Sequence, residues 1–395
     1  MNAAPEDRQP RAASLLFAWV AANRFMPLMP FFTLCLEELY GWGTEEVIQL
    51  FAIYTATRFC SEVPTGLVAD RTGPRGAVVA GSASSLLGLS LFLSGTFTWV
   101  AVGEVLIALG ESLVSGAADM LLFAYCGSPC DGVDKARGVY ESALSRYMGF
   151  AWASVAVSAL AGQGLYMVHT RGPILGSIAG AAIAMVLALR LPRTPNGIRR
   201  KGVLGLWHAL GSLLGSRSVL AWFLLGACFS ALVVTAFQLV QPLLSARGLA
   251  GPSNGLVYFV MTCFAVLGTR LQPTLSAWRG ATTWGIPISL TLLCLVFLGL
   301  GFAENLLVFV VAFAGFRVLW GWSGTVFVGS LNQSLPSDEV RATVLSLSAM
   351  TSSLLSWSYL LLCAELPLER AFLILGLIAL ALATVVALLW SQHLP

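Results

Sequence analysis

Long apolar runs alternate with short polar breaks along the whole chain, and each run is about as long as a helix must be to cross hydrocarbon, roughly 20 residues. The pattern predicts helices over 13–37, 44–69, 76–96, 99–125, 139–166, 172–191, 218–245, 252–276, 282–302, 305–333, 342–364 and 367–390. These runs lack the apolar–polar alternation of a membrane strand, so a β-barrel is excluded. The longest polar break, Pro192 to Ser218, divides six runs from six. The predicted fold class is an all-α membrane protein with an N-terminal six-helix half (1–191), a cytoplasmic linker (192–217) and a C-terminal six-helix half (218–395). In the linker Val203, Leu206, Trp207, Leu210, Leu213 and Leu214 share one helical face behind Arg199, Arg200 and Lys201. That face suits an amphipathic helix on the inner leaflet, or the frayed start of the seventh span.

Composition agrees with a lipid-dissolved chain. Of 395 residues 57% are hydrophobic and 10% charged, with a mean hydropathy of +0.82. A water-soluble domain carries about a quarter charged residues. The net charge of +3 points to no nucleic-acid partner. With the N-terminus inside, every Lys and Arg outside the spans except Arg171, Arg247 and Arg370 falls on the cytoplasmic side. That places both termini in the cytoplasm and the protein in the cytoplasmic (inner) membrane. The first apolar run lacks a small-residue cleavage site and reads as a span, not a signal peptide. Thr44 is expected to cap the second span, ahead of Glu45 and Glu46.

The eight cysteines are scattered, and Cys126 and Cys130 share a loop without further ligands, so no metal site is expected. His169, His208 and His393 are dispersed as well. There is no Walker loop and no nucleophile–base constellation, so neither an enzyme nor a cofactor is expected. The remaining energy source is the proton gradient, and the expected partners are a small-molecule substrate and the lipid bilayer.

Ionisable groups inside spans are expensive, about 2.5–3.5 kcal/mol each at helix centre on insertion scales, and therefore informative. The bases are Arg24, Arg58, Arg146 and Arg317; the acids are Glu62, Glu104, Glu111 and Asp119, all in the first half. Glu104 and Glu111 are two turns apart and Asp119 is eight residues on, so the three form a ladder on one helix. Glu111 is the first choice for proton coupling, with Glu104 and Asp119 beside it. Arg24 lies at a similar depth to Glu111 in its own span. Asn23 precedes Arg24, and Pro27 and Pro30 follow it, which predicts a kink with loose carbonyls. Arg24, Asn23, Arg58, Arg146, Gln238, Gln241, Arg317 and Trp320 are the expected cavity residues. Phe313, Phe316, Arg317, Trp320 and Trp322 would form an apolar wall with one cation, or simply core and lipid-facing surface.

One connection stands out: Gly66-x-x-x-Asp70-Arg71-x-Gly73-x-Arg75, preceded by Glu62-Val63-Pro64. It joins two spans too closely for a soluble insert. Gly66 is expected to allow close backbone approach and Gly73 a sharp turn. The motif resembles the signature loop between helices two and three of the major facilitator superfamily, in a prokaryotic branch with an EvPtG-type approach. A second stretch, Leu331 to Ser346 with Asn332, Pro336, Arg341 and Ala342, resembles that branch's segment before helix eleven. The chain departs from the family at Pro74, where a basic residue is usual. The resemblance implies two six-helix halves, alternating access, a monomer, and helices one and four lining a shared cavity, which makes Arg24 a candidate partner for Glu111; a purely structural pair is the alternative. It also implies a conformational latch of Glu62, Gly66, Asp70, Arg71, Gly73, Arg75 and Arg341, with Asp119 able to accept Arg75. The branch includes drug and metabolite exporters, which implies proton-coupled efflux of an amphipathic compound. Uptake of an anionic metabolite or siderophore held by Arg24 and Arg317, or lipid flipping, are the rivals.

Overall fold

The computed structural model describes residues 5–126, 133–192, 211, 213–276, 285–334 and 338–393. Most of the linker, with Val203, Leu206, Trp207 and Leu210 of its expected amphipathic face, and the loop between Cys126 and Cys130 lie outside the described residues, as do the side chains of Asp70 and Arg341; of that face's remaining pair Leu213 is buried and Leu214 exposed. The α-helices are α1 (Pro5–Asn23), α2 (Phe32–Tyr40), α3 (Thr44–Leu91), α4 (Phe97–Cys126), α5 (Val133–Val168) and α6 (Gly172–Arg190). After the linker come α7 (Arg217–Ala246), α8 (Asn254–Ser276), α9 (Gly285–Phe302), α10 (Leu306–Ser334), α11 (Asp338–Ala364) and α12 (Leu368–His393). Among the described residues nine helical stretches are long and apolar enough to cross a membrane, and Ile286–Phe302 is a shorter apolar one.

The first expected span is not one helix. It ends at Asn23, passes through a 3₁₀ turn at Met29–Phe31, and resumes as α2. Pro27 and Pro30 have no N–H to give, so the helix cannot run through them. The groups set loose are met by side chains. The Leu28 N–H donates to Ser177 Oγ at 2.9 Å, the Ser154 hydroxyl donates to the Ala21 carbonyl, and Asn254 Nδ2 donates to the Pro30 carbonyl at 3.2 Å. A Cβ on Gly180 would stand 2.6 Å from the Phe25 carbonyl oxygen, so α6 comes up against the break only because that position is glycine.

The second and third spans form one helical run broken at Gly73, whose φ of 77° and ψ of 162° suit a residue without a Cβ. The expected cap is corrected. The run begins at Thr44, so Gly43 takes the capping position and its N–H donates to Glu46 Oε2 at 2.9 Å, half of a capping box. Gly66 also differs from expectation: a Cβ there would meet nothing within 4 Å. Close approach falls instead on the outgoing arm of α3, where Gly81 faces Gly110 of α4 and Gly88 faces Gly103. A Cβ on Gly88 would lie 2.6 Å from the Gly103 carbonyl oxygen, and one on Gly103 2.7 Å from that of Gly88. Two glycines seven residues apart on each helix bring the backbones together, a small-residue seam suited to a medium where apolar burial drives nothing.

The chain divides into two compact units. One contains 1–41, 60–202 and 254–256; the other contains 42–59, 203–253 and 257–395. The division differs from the expected halves by two exchanged pieces. Within the first unit the start of α8 is fastened to α5: Gln163 Oε1 accepts the Leu256 N–H at 2.9 Å, meeting one of the free donors of a helix N-terminus. Within the second, Gln238 of α7 donates to Thr55 Oγ1 at 3.4 Å. The first unit's core includes Leu16, Trp19, Ala118, Leu121 and Ala184, and Trp19 Nε1 donates to Ser82 Oγ at 3.1 Å. The second centres on Phe297, Phe309, Phe313, Phe316 and Phe372, all fully buried.

Gly88→Ala is expected to cost about 1–3 kcal/mol, because its Cβ meets backbone rather than a movable side chain. Gly66→Ala is expected to stay within about 0.5 kcal/mol of wild type. Thermal unfolding in detergent checks both; equal midpoints for the two variants would refute the seam.

Candidate functional site

In the first unit the break after α1 leaves Arg24 at the helix end, facing α4. Arg24 Nη1 lies 3.3 Å from Glu111 Oε2, with side-chain exposures of 47% and 17%. The contact is a single hydrogen bond. Tyr147 of α5, 8% exposed, stands within the electrostatic reach of Arg24, Glu111 and Asp119. The acids on α4 grade in burial: Glu104 is 5% exposed, Glu111 is half-buried and Asp119 exposed. Arg146, one residue before Tyr147, is exposed, and Asn23 is half-buried at the end of α1.

Arg75 is placed elsewhere than expected. Its Nε donates to the Leu191 carbonyl at 2.6 Å and its Nη2 to that of Leu189 at 2.7 Å. Tyr125 adds a bond to the Pro192 carbonyl at 2.8 Å. The guanidinium therefore closes the C-terminus of α6, where loose carbonyls and the helix dipole favour a cation, and the expected Arg75–Asp119 pair is not formed. Glu62 is half-buried and Arg71 exposed near the Gly73 turn.

In the second unit the charged centre is Arg317, 5% exposed. Its Cζ is 5.2 Å from the Phe237 ring centroid and 4.8 Å from that of Trp320. Tyr258 of α8 lies 6.0 Å from Phe237, ring to ring, with Gln241 and Arg317 beside its hydroxyl. Gln238 and Gln241 are buried, and Thr235 shares a 2.8 Å hydrogen bond with Ser356 of α11. Thr235, Gln238 and Gln241, three residues apart, make a polar stripe on an otherwise apolar α7. Arg58, which clusters with this unit, is half-buried. Sequence reasoning missed Tyr147, Phe237 and Tyr258, since a lone aromatic in an apolar run carries no signal of its neighbours; the spacing along α7 was the one available clue. Among the described residues no group of His, Cys, Asp or Glu could hold a metal ion.

An exposed ion pair contributes about 0–1 kcal/mol. With Arg24 nearly half exposed, a double-mutant cycle of Arg24→Gln and Glu111→Gln on unfolding in detergent is expected to give a coupling below about 1 kcal/mol. A coupling of several kcal/mol would make the pair a structural clamp.

Three solved structures illustrate what the chain is similar to. The POT family transporter PepTSo matches with a TM-score of 0.76 at 12% identity, over 97% of this chain and 98% of its own. The nucleoside transporter NupG matches with a TM-score of 0.72 at 11% identity, over 98% and 99%. A bacterial homologue of the human lysosomal transporter Spinster, inward-facing and unoccupied, matches with 0.71 at 15% identity, over 98% and 97%. No curated protein sequence matches the chain. These likenesses carry the fold. The sequence profile described as the Major Facilitator Superfamily matches residues 13–359, nearly the whole helical part just described, and the chain belongs to that superfamily of membrane transporters.

Proposed function

We propose that this transporter is a proton-coupled exporter of an amphipathic, drug-like compound or metabolite, working by alternating access as a monomer. Residues 1–191 and 218–395 form its two lobes, joined by 192–217, with both termini in the cytoplasm and the chain in the inner membrane. The observation that carries the reading is the Arg24–Glu111 contact of 3.3 Å beside a broken helix. A carboxylate joined by one bond to a cation that is itself nearly half exposed exchanges that cation for a proton at small cost. Proton arrival at Glu111 releases Arg24, and the freed guanidinium changes what the cavity holds. Glu104 and Asp119 extend the proton's route along α4. Asn23, Arg24, Arg58, Arg146, Gln238, Gln241, Arg317 and Trp320 line the substrate's path. The Gly73 turn, with Glu62, Gly66, Asp70, Arg71, Arg75 and Arg341, acts as the latch between conformations; Arg75 serves it by fixing the end of α6.

Two buried or half-buried guanidiniums, Arg24 and Arg317, favour a second reading in which an anionic metabolite enters with the proton. Vesicles holding a pH-sensitive dye separate the two. When a panel of lipophilic drugs and organic anions is added, export requires proton movement opposite to the substrate, and uptake requires movement in the same direction. Glu111→Gln is expected to lower substrate-driven proton movement at least about tenfold, the effect of losing a positioned proton carrier, while substrate still binds. Unchanged proton movement in that variant would overturn proton coupling at Glu111. Asp70→Asn is expected to slow turnover more than it weakens binding, measured by transport rate against equilibrium affinity.

A further inference from the structure

In the second unit α8, α9 and α10 leave a cleft of about 740 Å³, and every residue lining it is apolar. On α10 the lining includes Leu307, Val311, Gly315 and Leu319, a stripe along one side of the helix over about three turns. Leu292 of α9 and Phe264 of α8 wall it. The cleft exists because the helices touch at a few points and part between them. A Cβ on Gly268 of α8 would lie 2.3 Å from the Val318 carbonyl oxygen, and one on Gly321 2.5 Å from that of Ala265. That backbone-to-backbone crossing closes the cleft beyond Leu319. At the other end, by the α9–α10 turn, Leu307, Val308 and Val311 are exposed and the cleft is open.

The lining also includes Ala312 and Ala314, which are too small to fill the space. From Leu307 to Leu319 α10 rises about 18 Å. One leaflet's share of a hydrocarbon core of about 30 Å is about 15 Å. The cleft is therefore blind, apolar and one leaflet long. It is continuous with the lipid-facing surface of this membrane transporter, for Ile288, Phe302 and Leu306 are exposed as well. A void in such a surface forfeits dispersion contacts unless hydrocarbon enters it. The charge at its mouth is negative: Glu304, three residues before Leu307, is exposed. The Arg247 guanidinium at the same turn is taken up by the carbonyls of Leu300, Gly301 and Ala303 and by Glu369.

We propose that this cleft seats one acyl chain of a bilayer phospholipid with an ammonium head group, retained when the surrounding lipid exchanges. The chain's terminal methyl lies against the α8–α10 crossing. The head group lies at the α9–α10 turn, where its ammonium faces Glu304; a purely anionic head group is repelled by that carboxylate. The seat is independent of the Arg24–Glu111 contact and stands whichever way substrate moves.

Native mass spectrometry of the full-length protein, delipidated in detergent and titrated with defined lipids, tests this. Palmitoyl-oleoyl phosphatidylethanolamine is expected to bind one per protein, at least about tenfold more tightly than dihexanoyl phosphatidylethanolamine, which shares its head group. The matching phosphatidylglycerol should bind about threefold more weakly, a difference lost in Glu304→Gln. Ala314→Phe puts a ring into the cleft and should lower binding of the long-chain phosphatidylethanolamine at least about tenfold. Val311→Phe, at the exposed rim, should do the same and replaces it if Ala314→Phe lowers the melting temperature. Leu377→Phe, at an exposed apolar position of α12, should change nothing. Unchanged lipid binding in the folded filling variants would overturn the seat. Equal binding of the dihexanoyl lipid would overturn chain recognition, and equal binding of the two long-chain lipids would overturn the ammonium assignment. A lipid-free dimer that Ala314→Phe dissociates would show a second copy on the cleft and overturn the proposal as well.

Discussion

A helix broken within a membrane-spanning bundle leaves peptide groups that its own ladder cannot satisfy, and the first unit is arranged around that constraint. Between Asn23 and Phe32 the chain cannot close its own ladder, because Pro27 and Pro30 supply no N–H. Ser154, Ser177 and Asn254 supply bonds from three other helices. For those side chains to arrive, α5 and α6 must approach the break at backbone distance, which is why a Cβ at Gly180 would collide with the Phe25 carbonyl. The prolines, the serines and the glycine are thus one device. Its product is the position of Arg24, which leaves α1 at the point where the helix stops and meets Glu111 across from it.

The two mid-depth arginines are held in opposite ways, and the contrast suggests a division of labour. Arg24 is half in water with a carboxylate at one hydrogen bond's distance, an arrangement that opens easily. Arg317 is nearly enclosed and rests on aromatic rings, whose faces attract a cation. Weak, wet coupling leaves a charge able to change partners; a dry and rigid seat holds it where it is.

Much of the fold was legible because hydrocarbon demands length and apolarity from every span, and both are written in single residues. The predicted 172–191 and 218–245 fall within two residues of α6 and α7. The same reading failed where contacts between helices decide. Gly66 and Gly88 look alike in sequence, yet one faces open space and the other a carbonyl, because closeness is set by the partner helix. Arg24 and Glu111 were legible as a candidate pair from their depth together with the family resemblance, which implies that helices one and four share a cavity. Arg75 was not placed correctly, since the carbonyls of Leu189 and Leu191 are present in every helix end and leave no mark in the sequence. Tyr258 beside Arg317 was equally silent: fifty-nine residues of chain separate groups that only the packing of α8 on α10 brings together.

Arg75 and Arg247 show what distinguishes an arginine that builds from one that works. Arg247 at the end of α7 directs its guanidinium to the carbonyls of Leu300, Gly301 and Ala303 at the end of α9, with Glu369 at 3.6 Å. Arg75 treats the end of α6 in the same manner. A helix terminus offers several carbonyls in a small arc, and a forked cation with five donors fits that arc better than an ammonium does. At the membrane surface such a cation is cheap, since it can snorkel to water while it caps. At mid-depth the first condition fails: no helix ends there to be capped, except where α1 has been broken. An arginine retained in that position must therefore be accounted for by something other than helix termination. The broken α1–α2 span meets this test in reverse, for it ends a helix within the span and sets Arg24 3.3 Å from the Glu111 carboxylate.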